Sequence, residues 1–188
     1  FYEITVKNIL RDRDFAGDAY KQAIRLKPNY AEAHNGLGWL KHAGFICGNI
    51  LPSKEDFEEA VSLHQKAISL KPNLFSAYDG LVKSFLSLHR RQEAVSAYHQ
   101  MLMFQPETID DHFDFASVCR RLDKDRQAIL IYERLLALIN NQLTISIRNE
   151  ELKSSRAAIY LTQSTLYFKI GNRKKSEYYR RLWEAQRN

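Results

Sequence analysis

Glycine and proline are scarce in this 188-residue chain, at seven and four residues, and cysteine is scarcer still at two. So few Gly and Pro leave too few tight turns for a sandwich or barrel of short strands. No run approaches the ~20 consecutive apolar residues of a membrane-spanning helix. The opening residues, FYEITVKNILRDRD, lack a charged start followed by an apolar signal core. With neither span nor signal in the sequence, a cytoplasmic location is the expectation. Cys47 and Cys119 can close at most one bridge, and neither has a second Cys or a His at metal-ligand spacing. Both read as buried thiols, which behave as small hydrophobes. Also missing are a phosphate-cradling Gly-rich loop, an H-E-x-x-H helix, a nucleophile elbow, and any carboxylate pair that periodicity forces to face one another. No metal, no cofactor and no enzymatic activity are expected.

What the chain does contain is enough apolar material for a core, 45% of its residues with 12% aromatic, in sequences rich in good helix formers. It also repeats itself. Residues 23–38 read AIRLKPNYAEAHNGLG and residues 67–82 read AISLKPNLFSAYDGLV, with nine of sixteen positions identical. Pro28, Pro72 and Pro106 each follow an apolar helical run, and they are spaced by 44 and then 34 residues. Twelve residues before each proline stands Ala16, Ala60 or Ala94; eight before stands a ring, Tyr20, His64 or Tyr98; five before stands Ala23, Ala67 or Met101. Downstream of the prolines come His34 with Leu37-Gly38, Tyr78 with Leu81-Val82 and Phe85, and His112 with Phe115-Ala116 and Cys119.

A 34-residue period with these small and bulky positions resembles the tetratricopeptide repeat, a helix-turn-helix unit. The resemblance spans nearly the whole chain and is closest over residues 12–40 and 55–139; Val82 and Lys41 depart from the family's small and aromatic positions. It implies an all-α, right-handed superhelix of about four to five units in a single array over 1–188. The units are placed at 1–30, 31–74 with an insertion at 45–54, 75–108 and 109–140. An irregular linker at 141–149 and a degenerate capping pair at 150–188 follow. Residues 1–10 hold only the tail of a first helix, so the array is expected to begin upstream. The insertion, FICGNILPSK, packs on neighbouring helices or forms an extra wall or a self-association patch, because its apolar residues must be covered by something. His34, His64 and His112 fall on ring positions and are expected in the core.

The family's function follows from its geometry. Repeats that contact only their neighbours coil so that the first helices line a concave groove without a closed pocket, suited to a peptide or a partner's helix. Carried onto this chain, the resemblance implies groove residues Glu32, Asn35, Trp39 and His42, then Asp79, Lys83 and Leu86. The following units add Phe113, Ser117, Arg120 and Arg121, and then Thr165, Phe168 and Lys169. Trp39 and Phe113 stand out, since aromatic and Arg side chains supply most interface hot spots; packing between repeats is the other reading of both. The Lys/Asn/Arg clamp that some co-chaperones of the family close on a C-terminal carboxylate is not supplied. Asn35 and Lys83 are isolated, and the third unit offers Asp110 and Asp114 where cations are needed.

Charge is unevenly placed. Residues 148–188 carry ten Lys and Arg against four Glu, so all of the formal +6 resides there. A basic helix with Arg173, Lys174, Lys175, Arg180 and Arg181 beside Tyr178, Tyr179 and Trp183 reads in two ways. It is a capping helix with a solvated cationic face, or it is a binder of nucleic acid or an anionic surface. The favoured expectation is a noncatalytic scaffold with a protein or peptide partner in the groove, and not a nucleic-acid partner. The basic C-terminal pair is the alternative, and a regulatory segment of an enzyme lying outside these residues is a third.

Overall fold

The structure, a computed structural model, describes residues 15–43, 52–145 and 149–186. Among these described residues every regular element is an α-helix. The chain falls into two compact units, Phe1–Gln105 and Pro106–Asn188. The first holds α1 (helical over 15–26), α2 (Ala31–His42), α3 (Lys54–Leu70), α4 (Phe75–Ser87) and α5 (Arg91–Met101); the second holds α6 (Ile109–Arg121), α7 (Asp125–Ile145), α8 (Glu150–Lys169) and α9 (Arg173–Glu184). Within the units α2 pairs with α3, α4 with α5, α6 with α7 and α8 with α9. This is the helix-hairpin repeat that the proline spacing predicts.

The helices begin and end for local reasons. Reciprocal capping boxes start α3 and α6: Ser53 Oγ accepts from the Asp56 amide at 3.2 Å and Thr108 Oγ1 from the Asp111 amide at 3.1 Å, while each carboxylate accepts from the cap residue's own amide. Asn149 and Asn172 cap α8 and α9. At the other ends, Pro28 and Pro72 stop α1 and α3, since proline has no amide to continue the ladder. Three turns inside hairpins are built alike. His89, Asp123 and Gly171 take left-handed backbone at φ of 58, 55 and 81°. The next amide reaches back to the carbonyls of Phe85, Cys119 and Tyr167, each at 2.8 Å. That closes the left-handed cap that turns a helix sharply into its partner.

Small residues let these helices approach, and rings fill what remains. Ala60, Ala67, Ala77, Ala94 and Val82 are fully buried, beside Phe75, Tyr78 and Met101. A Cβ at Gly36 would lie 2.4 Å from the Tyr20 ring, and one at Gly80 would lie 2.3 Å from that of His64. The two glycines occupy the same place in successive repeats, and each makes room for the ring of the preceding second helix. His34 and Tyr78, also equivalent, bond to the carbonyls of Pro28 and Pro72 at 2.9 and 3.1 Å. His34, His64 and His112 are all buried, as the ring positions require.

One boundary differs from the sequence reading. Helix α7 does not stop at 140 but continues to Ile145, so residues 141–145 of the expected linker are helical. Leu135, Ile139 and Leu143 recur every four residues and are buried, which carries the apolar stripe one turn further. Most of the 45–54 insertion lies outside the described residues, as does Cys47. Its last two residues, Ser53 and Lys54, are the cap and first residue of α3. Cys119 is buried, as expected. Lys41, at an aromatic position of the repeat, reaches Glu59 at 2.7 Å and Asp56 at 3.8 Å on α3, with its stem against the hairpin.

Candidate functional site

In the first unit, the expected groove residues of α2 and α4 are turned against one another. Asn35 Nδ2 donates to Ser76 Oγ at 3.0 Å, and its Oδ1 lies 2.9 Å from His64 Nδ1. An amide oxygen can only accept, so His64 carries its proton on Nδ1. His42 Nδ1 lies 3.1 Å from Ser84 Oγ, whose own hydrogen goes to the Gly80 carbonyl at 2.9 Å, so His42 is the donor of that pair. Asn35, His42 and Asp79 are 8, 7 and 5% exposed, so they belong to the helix-helix contact and not to an open face. His64 is fully buried with Nε2 unpartnered. Loss of hydration, with His42 nearby as a second contribution, pushes its pKa down to about 3. Trp39 is half-buried, edge-on to His64 with ring centres 5.7 Å apart, and Lys83 Nζ lies 5.2 Å above its ring. Trp39 therefore serves packing on one side and is covered by a cation on the other.

The second unit is different. Ser117, Arg120 and Arg121, from the last two turns of α6, face Leu161, Thr165 and Lys169 of α8 across an open cleft of about 570 Å³. Lys169 Nζ is held at 2.9 Å from Asp125 Oδ2 and 3.3 Å from Asp123 Oδ1, and bonding to Asp125 and then Asp123 raises its pKa. Arg120 is exposed at the cleft, and its guanidinium has no hydrogen bond or ion pair among the described residues. Thr165 Oγ1 donates back to the Leu161 carbonyl at 3.1 Å, which leaves its lone pairs open to a donor. Leu161 is 45% exposed. The cleft thus combines guanidinium donors, hydroxyls and an apolar wall.

Of the sequence-expected residues, the cleft gathers Ser117, Arg120, Arg121, Thr165 and Lys169. Phe113 is half-buried and Phe168 is 66% exposed, and neither contributes to its lining. Leu161 and Asp125 were missed. Leu161 stands four residues before Thr165, on the same helical face, and that spacing was the available signal. Asp125 enters through the turn at Asp123, which periodicity does not describe.

Three of the five cations of the basic C-terminal pair have acidic partners within the second unit. Lys175 Nζ donates to the Tyr167 hydroxyl at 3.0 Å and lies 3.6 Å from Glu133. Arg181 pairs with Glu177 at 2.9 Å and Arg180 with Glu184 at 3.9 Å. Tyr179 stacks on Tyr167 at 5.6 Å, and burial pushes its hydroxyl pKa up to about 12. Arg173 and Lys174 remain exposed without an ion pair among the described residues. Also among the described residues, no helix is long and apolar enough to cross a membrane, and no three His, Cys, Asp or Glu come together as a metal site would require.

No protein-family model matches the sequence, and comparison with curated proteins returns no match. Solved structures do match by shape. MamA superposes with a TM-score of 0.58 at 18% identity, over 96% of this chain and 92% of that one. Residues 41 to the end of MamA from Desulfovibrio magneticus RS-1 give 0.57 at 13% identity, over 99 and 93%. TTC0263, a thermophilic TPR protein of Thermus thermophilus, gives 0.51 at 16% identity, over 77 and 71%. At these identities the likeness establishes the fold. The chain has the tetratricopeptide fold, all-α and built from helix hairpins.

Proposed function

We propose that this chain is a noncatalytic scaffold that docks a peptide or a segment of a partner protein in the α6/α8 cleft of its second unit. The observation that carries the reading is the contrast between two equivalent faces. Between α2 and α4, hydrogen bonds from Asn35 and His42 satisfy the polar groups internally. Between α6 and α8, hydroxyls, an apolar wall and the unpaired Arg120 surround open space. Concave sites with a few convergent polar groups are where ligands bind, and an Arg beside an apolar wall has the composition of an interface hot spot. The internal pairing of Lys175, Arg180 and Arg181 favours this reading over binding through the basic tail.

A selection of displayed random peptides on the intact chain tests it. Thr165→Trp fills the cleft from an exposed position, so the helical spectrum is expected to stay unchanged. Enriched peptides should bind the native chain and lose binding to this variant. Peptides that bind both chains equally, or a selection that enriches nothing, would overturn the assignment.

A further inference from the structure

The balance of charge around the α6/α8 cleft specifies what sort of segment fits it, granted that the cleft is the docking site. Three cations line it: Arg120, Arg121 and Lys169. Lys169 is held by the carboxylates of Asp123 and Asp125. The Arg120 guanidinium is the cation of the three with no side-chain partner among the described residues. A guanidinium facing a cleft leaves its donors unmet until a carboxylate or phosphoryl oxygen arrives. One unpaired guanidinium matches one carboxylate, and Asp125 in the lining opposes the second negative charge of a phosphoryl dianion. Beside Arg120 the lining turns apolar at Leu161, 45% exposed, above the buried Leu166. Ser117 and Thr165 add hydroxyls able to bond to a peptide backbone.

We propose that the cleft selects a peptide segment in which an Asp or Glu stands next to a bulky apolar residue, the carboxylate on the Arg120 guanidinium and the apolar side chain on Leu161. Charge confers the selectivity and the Leu161 wall supplies burial. This differs from capture of a chain-terminal carboxylate, because nothing in the cleft requires the carboxylate to be terminal.

The test is a titration of the isotope-labelled intact chain, followed by NMR. The probes are peptides of about twelve residues in a Ser/Asn background, with a central Glu-Leu, Gln-Leu, Glu-Ser or phosphoserine-Leu pair. The Glu-Leu peptide should shift amides of α6 and α8 together with the Arg120 side-chain Nε–H signal. Its affinity should fall by about fivefold or more with Gln-Leu, with Glu-Ser, and when the native chain is replaced by Arg120→Gln. Raising salt from about 0.05 to about 0.5 M should weaken Glu-Leu binding several-fold and Gln-Leu binding little. Equal binding of Gln-Leu and Glu-Leu would overturn the charge selection while leaving docking in the cleft intact. Absence of any shift with Glu-Leu would overturn the inference, and the display selection separately decides whether the cleft docks anything. Phosphoserine-Leu binding about fivefold or more tighter than Glu-Leu would reassign the cleft to phosphorylated segments.

Discussion

His64 is wedged where three helices meet, between Gly38 and Gly80, with one ring nitrogen bonded to Asn35 and the other unpartnered. Its folded-state pKa near 3 lies below the ordinary value of 6.5. At pH 7 the ring is neutral in the fold and mostly neutral in the unfolded chain, so its protonation changes stability little. As pH falls through 6.5 the unfolded chain takes up a proton that the fold refuses. Stability is then lost at up to about 1.4 kcal/mol per pH unit until the folded ring itself titrates near 3. His64→Phe should flatten the dependence of unfolding free energy between pH 6 and 4 by about that slope; an unchanged slope would place the acid sensitivity elsewhere. Gly80→Ala puts a methyl 2.3 Å from the same ring, and should cost roughly 1–3 kcal/mol although alanine is the better helix former. Combining it with His64→Ala should recover most of that overpacking penalty, which a double-mutant cycle reads directly. The repeat pattern shows in advance that position 64 takes a ring, because Tyr20 and Tyr98 stand at equivalent places. It does not show that Asn35, His42 and Asp79 turn inward. Polar residues on a first helix read as a solvated face until the neighbouring helix supplies Ser76, Ser84 and the His64 ring, and those partners lie 29 to 42 residues away.

At the scale of the element, the helices are legible wherever proline and small residues punctuate the period, and the ends are legible where a side chain makes the cap. Ser53 and Thr108 announce their helices in this way. The left-handed caps are harder to see, because only Gly171 of the three carries the usual residue. His89 bears the steric cost of left-handed backbone, about 1–2 kcal/mol, and glycine there would forgo it at an entropic cost of roughly 0.5–1 kcal/mol. His89→Gly should therefore raise the denaturation midpoint, by a net of about 0.5–1 kcal/mol; a lower midpoint would mean that the His89 side chain contributes more than its backbone costs. Helix α7 is where the pattern misled. Asn140 occupies a position where prolines stop earlier helices, and the following NQLTI looks irregular by composition. Yet a buried residue at every fourth position keeps the hydrophobic gain on one face, which outweighs the modest helix propensity of Asn and Thr. Leu143 is the furthest of those residues, 7% exposed. Leu143→Ala should cost about 2–5 kcal/mol, whereas a residue in a solvated linker would tolerate the change with almost no shift in the unfolding curve.

For the whole molecule, the division of labour between groove and charge was only half visible. The α6 contribution to the cleft, Ser117, Arg120 and Arg121, is among the positions that the resemblance to the tetratricopeptide repeat implies. The resemblance also reaches Thr165 and Lys169 on α8, but the Asp123/Asp125 clasp on Lys169 requires the hairpin turn to be folded. Net charge is the more deceptive signal, because a cluster of like charges in sequence is not a cluster of unpaired charges in space. Of the five cations expected to form a basic patch, Lys175, Arg180 and Arg181 have acidic partners within 4 Å, at 3.6, 3.9 and 2.9 Å. Tyr179, one of the aromatic residues interleaved with those cations, is stacked on Tyr167. Arg180 and Arg181 are exposed pairs and can exchange partners at small cost, so phosphates could recruit some of this charge, but with few counterions released per site. Non-specific nucleic-acid binding at physiological salt falls at about 10⁻⁴–10⁻⁶ M even for proteins that make many phosphate contacts. The chain should fall at or beyond the weak end of that range for a short duplex at about 0.15 M salt, with a shallow dependence of log K on log salt. Arg173→Glu with Lys174→Glu should remove what binding remains at lower salt and leave the cleft's peptide affinity unchanged, as fluorescence anisotropy against both ligands would report. Micromolar duplex binding with a steep salt slope, lost in that double variant, would move the working surface from the cleft to α9.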